Sequence, residues 1–250
     1  MKVIVRVLLT GLLLWTTVQG NAQPGNKYYQ ALQSFMNKME KVQFPKPGQH
    51  YLMQMSIKMI PKTNLAVYQG KVENKEAEVK MIVGTHQLIY ETNQVSIYQD
   101  REWLFQVFHP QKLILQKTTP KGVFNQHLAY AKKTTQMQKE LFAQSTVTSV
   151  KDGMYKGRKI KLITTTLAAQ AQKKFRVKTV TYFFDMQKQK LEKQVVKFTN
   201  AHPLAGQEIV YLQLNPNYKG YVPTTAKAAV MNSQQRLLPK FRGYSIETNH

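Results

Sequence analysis

The feature that most constrains this chain is a change of hydrophobic period at "FPKPG", residues 44–48. Before it, Tyr28, Leu32, Phe35, Met36 and Met39 recur at helical spacing among Lys27, Gln30, Gln33, Asn37, Lys38 and Glu40. That pattern predicts an amphipathic helix over Asn26–Lys41, and Pro45, Pro47 and Gly48 end it. Beyond this point apolar residues alternate: Met53, Met55, Ile57 and Met59; then Val79, Met81 and Val83; Val95 and Ile97; Trp103, Phe105 and Val107; Leu113 and Leu115. Strand side chains point to opposite faces in turn. Gly84, Asn93, "QDRE" and "HPQK" supply turn material between the runs, so a meander of antiparallel strands is predicted. Residues 122–143 return to partial helical spacing through Phe124, Leu128, Ala131, Leu141 and Phe142, which predicts one or two helices. Strands are expected again at Arg158–Thr165, Phe175–Asp185, Leu191–Thr199 and Gln207–Leu214, with the polar "DMQKQK" turning the second of these into the third. The class is α+β. With no fixed-period repeat and no Gly/Ser-rich linker, a single domain over 23–250 is expected, extended by a C-terminal segment from about residue 215.

The N-terminus reads as an export signal. Lys2 and Arg6 precede an apolar run from Val7 to Trp15, and small residues follow at Gly20 and Ala22. The run is short for a membrane span, so cleavage after Ala22 is expected, with Gly20 as the alternative, and a periplasmic mature chain without a transmembrane helix. Cysteine is absent, which excludes disulfides, thiol chemistry, thiolate metal sites and the acylated cysteine of a lipoprotein. An exported chain of about 230 residues without disulfides must then be stabilised by its core. The formal charge is +23. Nucleic acid is not the expected partner: export removes the chain from most of it, and only Arg6, Arg101, Arg158, Arg176, Arg236 and Arg242 are arginines among 36 basic residues. Lysine is a hydrated point charge rather than a fork for phosphate. The spread lysines fit either a solvated surface or attraction to an anionic membrane surface or acidic partner.

Two stretches carry a family resemblance. "VSIYQDREWLFQVFHPQKLIL" resembles the strand, turn, aromatic strand and tyrosine-x-proline passage of the LolA/LolB lipoprotein-carrier superfamily, and "VTYFFDMQKQKLEKQVVKF" resembles its late hairpin. The order of elements is similar over most of the mature chain, while the segment after Leu214 exceeds the family core and no residue matches the family's functional arginine. The resemblance implies a curved antiparallel β-sheet, an incomplete, half-open β-barrel covered by helices, with an apolar cavity that holds acyl chains.

On that fold the candidate lining is Leu32, Phe35, Met36 and Met39 from the helix, and Met53, Met55, Ile57, Met59, Met81, Val83, Trp103 and Phe105 from one face of the sheet. Burial in ordinary core is the default use of such stripes. The methionines on both partners point further, because flexible thioether chains adapt to irregular apolar shapes better than Val, Ile and Leu do.

Catalytic and metal-binding patterns are missing. His50, His86, His109, His127, His202 and His250 show no paired ligand spacing, and there is no HExxH, GxSxG or phosphate-cradling loop. Glu73, Glu76 and Glu78, and Asp100 with Glu102, read as solvated strand ends. The expectation is a non-enzymatic protein without a cofactor that shields an acyl chain or lipoprotein during envelope traffic in outer-membrane biogenesis. The alternative is an assembly or scaffold subunit that works through contacts with an envelope protein.

Overall fold

Asn26 caps the first helix. Its Oδ1 accepts hydrogen bonds from the backbone N–H groups of Tyr28 at 3.0 Å and Tyr29 at 3.2 Å, satisfying two donors that a helix start leaves free. In the computed structural model, which describes residues 26–42, 45–62, 76–124 and 140–248, this helix, α1, spans Lys27–Val42. Leu32, Phe35 and Met36 are buried as their spacing requires, but Tyr29 rather than Tyr28 completes the buried stripe. The Tyr28 ring instead meets the ammonium groups of Lys27 at 5.3 Å and Lys161 at 5.6 Å. The expected export signal lies outside the described residues.

Twelve strands follow: β1 (His50–Pro61), β2 (Glu76–Gly84), β3 (Gln87–Glu91), β4 (Val95–Gln99), β5 (Trp103–Phe108), β6 (Leu113–Thr118), β7 (Ser145–Tyr155), β8 (Arg158–Leu167), β9 (Val177–Asp185), β10 (Lys190–Phe198), β11 (Leu204–Asn215) and β12 (Ser245–Thr248). They hydrogen-bond in the order β12-β6-β5-β4-β3-β2-β1-β11-β10-β9-β8-β7. This order has two ends, so the sheet is open, in agreement with the α+β antiparallel class expected from the sequence. β12 departs from the antiparallel rule by pairing parallel to β6.

Four elements escaped the sequence reading: β3, β7, β12 and a second helix, α2 (Ala169–Phe175). α2 fills the gap between the strands expected at Arg158–Thr165 and Phe175–Asp185, sharing only Phe175 with the second. It ends at Arg176, whose left-handed backbone (φ 57°) turns its N–H onto the Gln172 carbonyl. Of the helical region expected over 122–143, residues 125–139 lie outside the described set, and residues 140–143 are helical.

The chain divides into two compact units, and β1 contributes to both, through Met55 to one and from Ser56 to the other. The first unit holds α1, the later half of β1, β7 to β10, α2 and β11 as far as Leu212. Its registers place Ile163, Tyr182, Gln194 and Ile209 in one cross-strand row, and Thr165, Val180, Val196 and Gln207 in the next row on the same face. All eight are buried. α1 lies against this face: Phe35 meets the Phe184 ring edge-on at 5.6 Å, and Tyr29 stacks on Phe142 at 4.5 Å. β7 and β8 are joined by Lys156 and Gly157, both with positive φ, as a two-residue hairpin turn of matching twist requires. The β9–β10 turn is tied by Asp185, whose Oδ1 accepts from the N–H groups of Gln187 and Lys188 at 3.0 and 2.9 Å. Arg158 reaches Oδ2 of Asp185 at 3.3 Å and Oε1 of Glu192 at 2.8 Å, and both carboxylates are nearly buried.

The second unit holds the first half of β1, β2 to β6 and the chain from Gln213 onward. Its β2–β3 turn leaves room for nothing larger than glycine at Gly84 without moving His50, whose ring would lie 3.0 Å from an added Cβ. The C-terminal segment seals one face of the strands. Leu52, Ile82, Ile89, Tyr98, Phe105, Val107 and Ile114 form one buried cluster with Ala226, Ala229, Val230, Met231 and Phe241. Each large side chain so covered is worth about 1.5–3 kcal/mol. Polar contacts set where the segment sits. Asp100 accepts from the Glu102 and Trp103 N–H groups through Oδ1 and from the Ala226 N–H through Oδ2 at 2.6 Å. Lys240 lies over the Tyr98 ring at 5.0 Å, and Tyr98 donates to Glu91 at 2.7 Å. His109 bridges Ser96 (Nε2, 2.8 Å) and Tyr244 (Nδ1, 3.0 Å). Burial holds the His109 imidazole below the ordinary histidine range, opposed by Glu91 and aided by Lys240.

Two predictions test these assignments. Arg158→Met leaves two nearly buried carboxylates with only the longer Lys190–Glu192 ion pair at 3.4 Å and the turn N–H groups on Asp185; it should cost about 3 kcal/mol, read as a lower urea midpoint, and an unchanged midpoint would show the clamp to be solvated. For His109, the folded protein holds fewer protons than the unfolded chain just below pH ~6.5. The stability it contributes is therefore complete above that pH and is lost as pH falls toward the depressed folded value. His109→Gln should flatten part of the decline in urea midpoint between pH 7 and 5. Equal slopes in variant and wild type would remove His109 as a source; His202, also lowered by burial, accounts for a share of the remainder.

Candidate functional site

Strand registers decide which of the expected lining residues can act together. In the second unit, Ile82 pairs with Ile89, Ile89 with Tyr98, and Tyr98 with Phe105. Cross-strand partners share a face, so Phe105 and its i−2 neighbour Trp103 lie on the Ile82 face. Met81 and Val83 flank Ile82 in β2 and point the other way. The expectation of one face carrying Met81, Val83, Trp103 and Phe105 is thereby corrected. Trp103 and Phe105 belong to the face sealed by the C-terminal segment, where Phe105 is buried in the cluster and Trp103 packs against it. The physical reason is parity. Strand β3, unrecognised in the sequence, and the turn lengths on either side of it set the phase of β5 relative to β2.

Leu52 belongs to the sealed cluster, so Met53 and Met55 alternate onto the opposite face, as Met81 does. The register adds Tyr90 opposite Met81, then Ile97 and Gln106 across β4 and β5. Met53 and Met55 are 1% and 2% exposed, and Met81 is also buried. Tyr90 is buried too, and the loss of water pushes its phenol up to about 12, so this face carries no ionised phenol at neutral pH. The strand side of the sealed face uses Leu, Ile, Val, Tyr and Phe and no methionine; the opposite face carries three methionines, with their unbranched, polarizable chains, beside Val79, Val83, Tyr90 and Ile97.

The remaining candidates belong to the first unit. Leu32, Phe35 and Met36 are buried on α1, and Ile57 is buried and Met59 half-buried on β1. Met39 lies in α1, with its side chain outside the described residues. The buried face of β8 to β11 in this unit is apolar except for a few neutral polar groups in adjacent rows, Thr165, Gln194 and Gln207, which the sequence reading missed. Gln194 is 0% and Gln207 1% exposed. Tyr211 donates to Oε1 of Gln194 at 3.0 Å, but Nε2 of Gln194 and Nε2 of Gln207 are buried donors with no hydrogen-bond partner among the described residues. Leaving such a donor unpaired costs about 1–3 kcal/mol, so each requires an explanation. A signal was present in the sequence: Gln207 stands in phase with Ile209 and Tyr211, a polar residue at a core position of an alternating strand.

Among the described residues, no group of three or more His, Cys, Asp or Glu side chains is arranged to hold a metal ion, and no helix is long and apolar enough to cross a membrane. Ser96 and His109 have the spacing of a nucleophile and its base, but Ser96 is buried, and Tyr244 stands where an orienting carboxylate would be. The geometry is that of a tie between sheet and C-terminal segment.

No protein-family model matches the chain, and no curated protein matches it. Solved structures do. An uncharacterized conserved protein from Thermus thermophilus aligns with a TM-score of 0.38 at 4% identity, over 88% of this chain and 100% of that one. A putative outer membrane lipoprotein-sorting protein domain from Vibrio parahaemolyticus gives 0.30 at 8% identity, over 78% and 93%. A LolA superfamily protein from Nitrosomonas europaea gives 0.28 at 7% identity, over 76% and 94%. These likenesses concern the course of the chain and extend to no residue of a site.

Proposed function

We propose that this protein is a non-catalytic periplasmic carrier that shields an acyl chain, free or on a lipoprotein, against the methionine-bearing side of its sheet. The observation that carries the reading is the division of labour between the two faces in the second unit. One face is closed by the chain's own C-terminal segment, against strand residues (Leu52, Ile82, Ile89, Tyr98, Phe105, Val107 and Ile114) that include no methionine. The other presents Met53, Met55 and Met81, which stand outside that cluster. Acyl chains vary in shape and are held by buried area, about 25 cal/mol per Å² before ordering costs. Unbranched linings suit that demand, since they repack without leaving rotamer wells. Neither a cofactor nor a covalent step is required.

A second reading rests on the near-complete burial of Met53 and Met55, which is also what solid core would show. In that case the protein is an assembly subunit, and its partner, an envelope protein or an anionic membrane surface, meets the basic exterior.

Native mass spectrometry of protein purified without detergent separates the two. The carrier reading expects a stoichiometric lipid or acylated-peptide adduct, or uptake of added palmitate or lipopeptide. The triple variant Met53→Leu, Met55→Leu, Met81→Leu keeps apolar volume but stiffens the lining; it should weaken uptake several-fold with little change in melting temperature. A clean mass with no uptake would favour the assembly reading.

A further inference from the structure

The two buried glutamines of the first unit mark a place where a ligand's polar atoms would be received. Gln194 on β10 faces Ile209, and Gln207 on β11 faces Val196, so the two amides are diagonal neighbours on one face. Diagonal pairs of this kind stand about 7–8 Å apart at the backbone, closer at Cβ. Both side chains are buried, and both Nε2 groups lack a partner among the described residues. Their surroundings are neutral. Tyr182 pairs across from Gln194, Tyr211 donates to the Gln194 oxygen, and Val196 and Ile209 fill the row. Of the charged residues of the same strands, Lys193, Lys197 and Glu208 alternate onto the opposite face, where Lys193 and Glu208 pair at 2.6 Å, while Lys190 and the nearly buried Glu192 stand at the turn end of β10, where Arg158 pairs with Glu192 at 2.8 Å.

We propose that Gln194 and Gln207 form a carbonyl-recognition subsite on the first unit's own buried face, donating their Nε2–H groups to the ester oxygens of a diacylated lipid or lipidated peptide. The inference rests on the carrier reading and refines it. Two neutral donors without an accompanying cation match neutral carbonyl oxygens. They match a free fatty acid less well, because its carboxylate would be buried there without a cation. Two donors match in number the two acyl carbonyls of such a ligand, and Val196 and Ile209 beside them are apolar, as the first methylenes of each chain are.

The test compares a soluble dioctanoyl glycerophospholipid with its dioctyl ether analogue, identical in headgroup and chain length but lacking both carbonyls, by isothermal titration calorimetry. Wild type should bind the ester about tenfold tighter than the ether, the scale set by a pair of hydrogen bonds to neutral acceptors. The double variant Gln194→Leu, Gln207→Leu should bind both equally; its melting temperature should stay close to that of wild type, because the removal of two unpaired buried donors offsets the loss of the Tyr211 hydrogen bond to Gln194. The single variant Gln207→Met, should the double variant fold poorly, ought to lose part of the preference. Equal binding of ester and ether by wild type would overturn the carbonyl subsite while leaving the carrier reading intact. Binding of neither lipid would overturn both.

Discussion

Register is the constraint on which the rest of this structure depends. In a sheet whose side chains alternate with a period of two, shifting one hairpin by one residue exchanges its two faces. The turn at Thr85 and His86 sets Ile82 against Ile89, and every later pairing out to Ile114 inherits that phase. The phase assigns Phe105 and Val107 to the face that the C-terminal segment covers, and leaves Met81 and Tyr90 on the other. In the first unit the β10–β11 register does the same for Gln194 and Gln207. A shift of one residue there would replace both amides on the buried face by Lys193, Val195 and Glu208.

The C-terminal segment converts that phase into a closed surface. Its apolar residues supply the area, and its polar contacts select one docking position among those the area alone would tolerate. Asp100 holds the start of the segment through the Ala226 N–H, Gln87 donates to the Pro223 carbonyl at 2.6 Å, and β12 continues the backbone ladder on β6. Tyr98, Glu91, Lys80 and Lys240 form a connected patch over the same strands. Burial by itself would raise the Glu91 carboxyl; the hydrogen bonds from Lys80 and Tyr98, with the charges of Lys80 and Lys240, bring it below its ordinary value instead. The half-buried carboxylate is thus kept ionised chiefly by Lys80 and Tyr98 of the strands, and the lysine that the segment delivers adds a smaller share.

Much of this architecture was legible where the period was long and the punctuation strong. The first helix could be placed to within one residue at each end, because five apolar positions at helical spacing were bounded by Asn26 and by Pro45. The Asp185–Lys190 hairpin was equally clear. What escaped were elements whose pattern depends on tertiary context. β3 reads "QLIYE", too short for alternation to stand out, and β7 is a largely exposed strand of mixed polarity at one end of the strand order. Missing β3 had a consequence beyond its five residues. Without it, the parity linking Met81 to Phe105 could not be followed, and two residues of the sealed core were grouped with the methionine face. Gln194 escaped for a similar reason, since the irregularity between Leu191 and Lys193 breaks the alternation that would have marked it as inward-facing.

The interior of this protein is not built as one optimised for stability alone would be. Leucine or isoleucine in place of Met53, Met55 and Met81 would lose less conformational freedom on burial. Apolar residues in place of Gln194 and Gln207 would avoid two unpaired donors. Both departures lie on sheet faces other than the one that the C-terminal segment seals, where the side chains follow the ordinary rules of a packed core. Flexible linings and unspent hydrogen-bond donors share one physical property: each gains free energy when a complementary partner arrives, and each is a liability until then. A chain without disulfides, which draws its stability from burial, keeps such liabilities at a real cost to its own folding. Their concentration away from the sealed core is the distribution that the proposed carrier reading requires, in which one part of the chain stabilises the fold and another is kept for a guest.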